Sequence, residues 1–173
     1  MKPLVKSKNL YLRELAETDL DRTWEWLHRP DIYTKIGVQV PFSKEQQKQW
    51  FARLKEDNTK MVFAVCLLKN DAHIGNVSLD MIDLRHKNAR LSIFIADNDT
   101  RGKGLGTEAL FLLEEYAFKK LNLHKIWCKT DANDLKVLEF YKKLGFEQEG
   151  IWKEHEIRNG QYLDKVLFGK ISK

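Results

Sequence analysis

The chain has 173 residues, of which 43% are hydrophobic and 32% charged, so it can bury a core and is not intrinsically disordered. Its formal net charge is +5, but no basic run exists, which disfavours a nucleic-acid partner and permits a small anionic ligand. The longest apolar run, 61–68, is far shorter than the roughly 20 residues that cross a bilayer, and no signal-peptide pattern is visible. We therefore expect one cytoplasmic domain without membrane contact.

The first half of the sequence predicts a strand, two helices and three more strands. Capping boxes mark the two helix starts, at Thr18 with Asp21 and at Ser43 with Gln46. The turn signal Asn70-Asp71 joins the first two of the three strands in a hairpin. The predicted segments are a strand at 9–15, a helix from 20, a loop at 29–42, a helix from 44, and strands at 61–69, 73–82 and 88–96.

The second half alternates helices and strands and closes with a hairpin. Apolar residues at helical spacing predict helices over 104–120 and 134–144, with a short strand at 125–130 between them. Two final strands flank Asn159-Gly160, a pair suited to a type I′ turn. The order β-α-α-β-β-β-α-β-α-β-β predicts a single mixed α/β domain over 1–173.

The cysteines and histidines do not form a metal or disulfide pattern. No histidine stands at ligand spacing from another histidine or a cysteine, so we expect no metal site. Cys66 and Cys128 both lie in apolar, strand-like segments, and we expect two buried thiols rather than a disulfide.

A glycine-rich segment between a predicted strand and a predicted helix is the strongest functional signal. It consists of Arg101, Gly102, Lys103, Gly104, Leu105, Gly106 and Thr107. Glycines let the backbone approach a ligand closely, and a helix start offers free N–H groups, so the segment suits a pyrophosphate. The segment meets neither the Walker A pattern nor the dinucleotide-binding fingerprint, whose third glycine would fall on Thr107; it fits R/Q-x-x-G-x-G.

Two further stretches connect this segment to a known family: IFIADNDTRGKGLGTEAL and LNLHKIWCKTDANDLKVLEFYKKLGFEQEG. They resemble the GNAT superfamily, the acetyl-CoA-dependent N-acetyltransferases. The opening LYLRELAETDLDRTWEWL also looks like this family, and the closing IRNGQYLDKVLFGKI looks like its branch of ribosomal-protein N-terminal, polyamine and amino-sugar acetyltransferases. The resemblance covers essentially the full chain, and its motifs are specific for acetyl-CoA and unspecific for the acceptor.

The resemblance implies a mostly antiparallel sheet flanked by helices, and roles for particular residues. Backbone groups of Phe94, Ile95 and Ala96 would bind the pantetheine arm, and N–H groups from Arg101 to Thr107 would hold the pyrophosphate. Asn133 would contact the pantetheine or order a water beside it. Tyr141 would protonate the departing coenzyme A thiolate, although by its spacing alone it also fits an ordinary core tyrosine.

The chemistry also needs a donor for the thioester carbonyl, which the N–H near Ile95 can supply, and a base for the ammonium proton of the acceptor. Four carboxylates are candidate bases, and a solvated surface position is the alternative for each of them. The four are Asp80, Asp83, Glu14 and Glu154.

We expect the acceptor to be an amine of a small molecule, and the charge of one residue before the glycine loop narrows the class of that amine. Polyamine enzymes of this branch tend to place a carboxylate on the strand before the glycine loop, where this chain has Arg90. A cation there disfavours a polycation and suits an amine that carries an anionic group, such as a nucleotide-linked amino sugar. Asp80 and Trp26 are further candidate substrate residues, since Trp26 lies off the apolar stripe of its helix.

Three alternatives stay open. The acceptor can be a polyamine such as spermidine, or the amino terminus of a protein. More distantly, the chain can be an acyl-CoA-binding domain without activity, although the presence of both Asn133 and Tyr141 favours an enzyme. We also expect that a homodimer can form.

Overall fold

The computed structural model describes residues 2–38, 40–96, 100 and 102–173. One eight-stranded sheet forms its centre, in the order β1-β2-β3-β4-β5-β6-β8-β7. The strands are β1 (Val5–Lys6), β2 (Leu10–Glu14), β3 (Met61–Leu67), β4 (His73–Asp83), β5 (Asn88–Ile95), β6 (Lys125–Asp131), β7 (Glu147–Arg158) and β8 (Gln161–Ile171). The helices are α1 (Leu20–Leu27), α2 (Pro30–Ile36), α3 (Lys44–Leu54), α4 (Leu105–Glu115), which continues as a π-helical turn over Tyr116–Lys120, and α5 (Leu135–Lys143).

The predicted mixed α/β architecture is confirmed. Neighbouring strands are antiparallel except β5 and β6, which are parallel, and the β7–β8 hairpin pairs Arg158 with Gln161 across the predicted Asn159-Gly160 turn. Both turn residues have positive φ, as a type I′ turn requires.

The prediction of a loop over 29–42 was wrong, because this segment contains helix α2. Pro30 occupies the first turn of this helix, where its missing N–H is harmless, and Gly37 ends it in the left-handed conformation at φ +73°. Both residues therefore act as start and stop signals of a short helix rather than as loop markers.

One of the two predicted capping boxes is confirmed. The Ser43 hydroxyl accepts from the Gln46 N–H at 3.1 Å, and the Gln46 side chain accepts from the Ser43 N–H at 2.7 Å. The Thr18 and Asp21 pair was wrong. Asp19 caps this helix start instead: its carboxylate accepts from the Ala16 N–H at 2.8 Å. The buried Arg13 donates to the same carboxylate and holds it in this position.

The sheet is covered on both faces over β3, which is typical of a strand with a continuous apolar run. Phe63 and Val65 face the larger core, which includes α4, β6 and β8, whereas Ala64 and Cys66 face a smaller core with Phe51 of α3. Cys66 and Cys128 are both buried and free, as expected.

Among the described residues, one strand pair of the sheet is parallel, and it is short. Residues 88–90 of β5 pair with residues 125–127 of β6, and no backbone pairing joins the two strands beyond that point. Residues 91–95 of β5 therefore pair with β4 alone. Every second residue of this stretch turns its backbone N–H and C=O away from β4 and toward the opening between β5 and β6.

Gly75 lets β4 and β5 approach each other beside this opening. A Cβ built at Gly75 would lie 2.2 Å from the Phe94 carbonyl oxygen, a backbone atom that cannot move aside cheaply. We expect Gly75→Ala to lower the free energy of unfolding by about 1–3 kcal/mol, the usual cost of overpacking, as measured by urea denaturation. Gly150→Ala is the matched control, since a Cβ there meets nothing within 4 Å; equal losses in the two variants would contradict the prediction.

Candidate active site

A cleft of about 560 Å³ opens where β5 and β6 separate. Its floor is made by β4 and β5, one wall by β6 and α5, and the other by α1, α2 and α3. The cleft is therefore built from elements that are far apart along the chain.

Two of the three predicted pantetheine-binding residues line this cleft. Phe94 and Ile95 both border it at the end of β5. Ala96 lies beyond the strand, and protein groups occupy its backbone: its N–H donates to the Ile74 carbonyl at 2.8 Å, and its carbonyl accepts from Arg29 at 2.7 Å. A ligand reaching Ala96 would have to displace these contacts.

The glycine-rich segment has the geometry of an anion-binding loop. Gly102 and Gly104 adopt left-handed φ values of +75° and +77°, and α4 begins directly after Gly104. The first N–H groups of α4 have no partner within the helix, so they can face a phosphate. Arg101 lies outside the described residues.

The remaining predicted loop residues have different surroundings. Gly106 lines the cleft, whereas Lys103 and Leu105 border a separate cavity of about 480 Å³ on the side of β1 and β2. Thr107 lies in the first turn of α4 and is half-buried.

Tyr141 reaches the cleft from α5 and is 6% exposed. Its ring stacks on Phe168 at 5.7 Å and meets Phe146 edge-on at 5.4 Å. Burial, together with the hydrogen bond of its hydroxyl to the Cys128 thiol, raises the pKa of Tyr141 well above its usual range. Burial likewise raises the pKa of Cys128 to about 12. Both groups therefore keep their protons at neutral pH, as an acid must.

Asn133 is exposed, and it is not among the described residues that line the cleft. Its carbonyl accepts from the Leu135 N–H at 3.1 Å. The helix cap of α5 comes from Asp134, which accepts from the Val137 N–H at 3.2 Å and lines the cleft.

Two predicted substrate residues, Asp80 and Arg90, face each other on the cleft floor. They are cross-strand partners of β4 and β5, with Arg90 Nη2 3.7 Å from Asp80 Oδ2. Lys60 lies on the other oxygen of Asp80 at 3.0 Å. Of the four candidate bases, Asp80 is the one that lines the cleft.

Trp26 packs beside the cleft rather than on its lining. Its ring meets His73 at 4.8 Å and Phe94 at 6.3 Å, both edge-on. The tryptophan that lines the cleft is Trp50 of α3, and Lys60 lies over its ring at 5.7 Å.

The wall formed by β6, β7 and β8 carries a charge network that the sequence did not reveal. Lys165 contacts the carboxylates of Asp131 and Glu156, and its side chain is 5% exposed. Lys129 donates to Glu156 at 2.8 Å, and Arg158 donates to Asp131 at 2.6 Å. Burial opposes ionisation of both carboxylates, but these cations outweigh it and lower the pKa of each. A hairpin register for β7 and β8, projected from Asn159-Gly160, was the signal that could have found this network.

The described part of the chain shows no group of three or more His, Cys, Asp or Glu that could hold a metal ion. None of its helices is long and apolar enough to cross a membrane.

Comparison with known proteins agrees with this geometry. Residues 9–147 match the family model described as an acetyltransferase (GNAT) domain. The chain is 25% identical to the uncharacterized N-acetyltransferase p20 of Bacillus licheniformis, over 96% of this chain and 95% of that protein. It is 31% identical to a spermidine N(1)-acetyltransferase of Vibrio cholerae, over 91% of this chain and 90% of the relative.

A solved structure shows the same fold. The spermidine N-acetyltransferase of Vibrio cholerae in complex with CoA and spermine superposes with a TM-score of 0.89 at 26% identity, covering 94% of this chain and 95% of that one. The match over the domain, the diverging β5 and β6 strands and the glycine loop lead to one conclusion: the chain belongs to the GNAT family of acetyl-CoA-dependent N-acetyltransferases.

Proposed function

We propose that this enzyme transfers the acetyl group of acetyl-CoA to a primary amine of a small molecule bound in the cleft, by direct attack. The observation that carries the proposal is the opening between β5 and β6, with the β5 backbone on one side and the protonated Tyr141 on the other. The pyrophosphate lies on the loop at 102–107, the pantetheine follows β5, and the thioester lies between Ile95 and Tyr141.

The neutral amine attacks the thioester carbonyl, and the departing thiolate takes the proton of Tyr141. An alkylamine with a pKa of about 10 is protonated at pH 7, so it must first lose a proton to a base or to water. Among the predicted bases, Asp80 is our candidate for this step, and its support is that it lines the cleft.

A polyamine is the first candidate acceptor. Its support is the 31% identical relative from Vibrio cholerae, which is a spermidine N(1)-acetyltransferase and matches over 90% of its length. A polyamine needs carboxylates, and the cleft lining supplies them from β4, β6, α5 and β7.

An amine that carries an anionic group, such as a nucleotide-linked amino sugar, is the second candidate. Its support is that each of the four lining carboxylates already lies within 4 Å of a protein cation. A polyammonium ligand would have to compete with these cations, whereas Arg90, which is one-third exposed, can pair with a phosphate or carboxylate.

A thiol-release assay with acetyl-CoA tests the proposal, with spermidine, an amino-sugar nucleotide and a peptide amino terminus as acceptors. We expect release with one small-molecule amine. Release with the peptide alone would assign a protein acceptor, and coenzyme A binding without release by any amine would indicate a non-catalytic binding domain. The homodimer stays a prediction, and light scattering measures it through the molar mass.

We expect Arg90→Glu to change the activities toward the two candidate acceptors in opposite directions. The kcat/KM for spermidine should rise about tenfold, because the residue that repels this cation becomes one that attracts it. The kcat/KM for an amino-sugar nucleotide, which is anionic, should fall by a similar factor. Arg85→Glu is the matched control, since Arg85 is exposed on the β4–β5 turn and makes the same charge change outside the cleft. Equal effects of the two variants would show that Arg90 does not contact the acceptor.

A further inference from the structure

A chain of buried polar side chains runs from β2 to the cleft, and the proposed reaction uses none of them. Arg13 donates to both oxygens of Asp19, at 2.6 and 2.8 Å. His73 Nδ1 lies 3.3 Å from the same carboxylate, and His73 Nε2 lies 2.7 Å from the side-chain oxygen of Asn76. All four residues are less than 9% exposed. The hydrogen bond to His73, which itself packs against Asp19, holds Asn76 in one orientation.

The last member is Asn76, and its orientation follows from the contacts of His73. His73 Nε2 also lies 3.0 Å from the Gly75 carbonyl oxygen, which can only accept, so Nε2 must carry a hydrogen. Asn76 therefore turns its oxygen to His73 and its NH2 group away from it. Within the described part of the chain this NH2 group donates to no protein acceptor, and Asn76 lines the cleft.

The sheet register places this amide beside the proposed position of the acetyl group. Asn76 is the cross-strand partner of Phe94, and Gly75 is the partner of Ile95. The two strands are held close there, because the missing Cβ of Gly75 leaves room for the Phe94 carbonyl. A free donor thus adjoins the end of β5 where the thioester carbonyl is expected.

We propose that Asn76 is a catalytic residue that donates its amide N–H to the acetyl carbonyl oxygen, and that His73 is the positioning residue behind it. When the amine lone pair forms the new C–N bond, the carbonyl π pair moves to the oxygen, and Asn76 stabilises that charge. The C=O then reforms, the C–S bond breaks, and the sulfur leaves with the electron pair and takes the Tyr141 proton. The nitrogen loses two protons in all: one goes to Asp80 or to water before the attack, and the other leaves the nitrogen through water as the amide forms and restores the Tyr141 hydroxyl.

A neutral amide suits this role because it is oriented before the substrate binds. The hydrogen bond from His73 polarises the amide and strengthens its own donors. A donor that needs no reorganisation during the reaction is worth about 10²–10³-fold in rate at an oxyanion. The inference rests on the proposed placement of the acetyl group.

The test uses acetyl-CoA itself and needs no acceptor. Isotope-edited infrared spectra of acetyl-CoA labelled with ¹³C at the thioester carbonyl report the hydrogen bonds of that carbonyl when it is bound. We expect a lower carbonyl frequency on the wild-type enzyme than in water, and a loss of part of that shift in Asn76→Ala. Calorimetry should show that the preference for acetyl-CoA over CoA falls about two- to tenfold, as for one neutral hydrogen bond.

Further variants separate this role from a structural one. His73→Leu should lose the same part of the shift, whereas His73→Gln, which can still donate to Asn76, should keep it. Asn76→Asp retains the shape of the side chain and loses the donor, so it replaces Asn76→Ala if the latter does not fold. Asn70→Ala, on the exposed β3–β4 turn, is the control and should match wild type.

Two results would overturn the inference. An unchanged carbonyl shift in folded Asn76→Ala or Asn76→Asp would remove Asn76 from the reaction while leaving the acetyl group in place. A wild-type enzyme that binds acetyl-CoA without any carbonyl shift would show instead that the proposed position of the acetyl group is wrong.

Discussion

Tyr141→Phe should lower kcat by about 10²–10⁴-fold, the usual loss for one general acid, and leave coenzyme A affinity nearly unchanged. The variant keeps the ring that stacks on Phe168 and loses only the hydroxyl that can protonate the thiolate. Its one lost contact, with the Cys128 thiol, is a weak hydrogen bond, so the fold should persist. Steady-state kinetics and calorimetry measure the two quantities.

Tyr116→Phe is a matched control for this substitution. Tyr116 lies in the π-helical turn after α4, packs edge-on against Phe63 at 4.8 Å, and also has a pKa raised by burial. We expect its kcat to equal that of the wild type. An unchanged kcat in folded Tyr141→Phe would assign Tyr141 to the core alone.

Gly104→Val should abolish most of the coenzyme A affinity. Gly104 stands at φ +77°, where a side chain other than hydrogen costs about 1–2 kcal/mol per residue, and it precedes the first helical N–H groups of α4. A branched side chain here both strains the loop and stands where the phosphates would approach. Titration calorimetry with coenzyme A should show at least a tenfold higher Kd, since tenfold is about 1.4 kcal/mol.

Gly160→Val separates the two effects. Gly160 also has φ +77° and open space around it, but it lies in the β7–β8 turn. The Gly160→Val variant should lose about as much stability as Gly104→Val and should retain coenzyme A binding. Wild-type affinity in Gly104→Val would place the pyrophosphate elsewhere.

Local patterns were sufficient to predict most of the secondary structure. The Ser43 capping box, the Asn159-Gly160 turn and the helical spacing from Leu105 onward depend on residues a few positions apart, so they can be recognised without a partner. The glycine loop before α4 is equally local. The sequence alone therefore determined the element order apart from β1 and α2, and it predicted the loop that precedes the cofactor helix.

The contents of the cleft depended on tertiary structure. Lys165 meets Glu156 and Asp131 because β8 lies between β6 and β7 in the sheet, an order that is not the order of the chain. Asn76 faces the cleft, and His73 contacts the Asn76 side chain, only in this register of β4. A shift of one residue reverses which side chains share a face, so register is settled by the packing of the whole sheet. Arg90 had a predictable charge, but only the pairing of β4 with β5 placed it against Asp80.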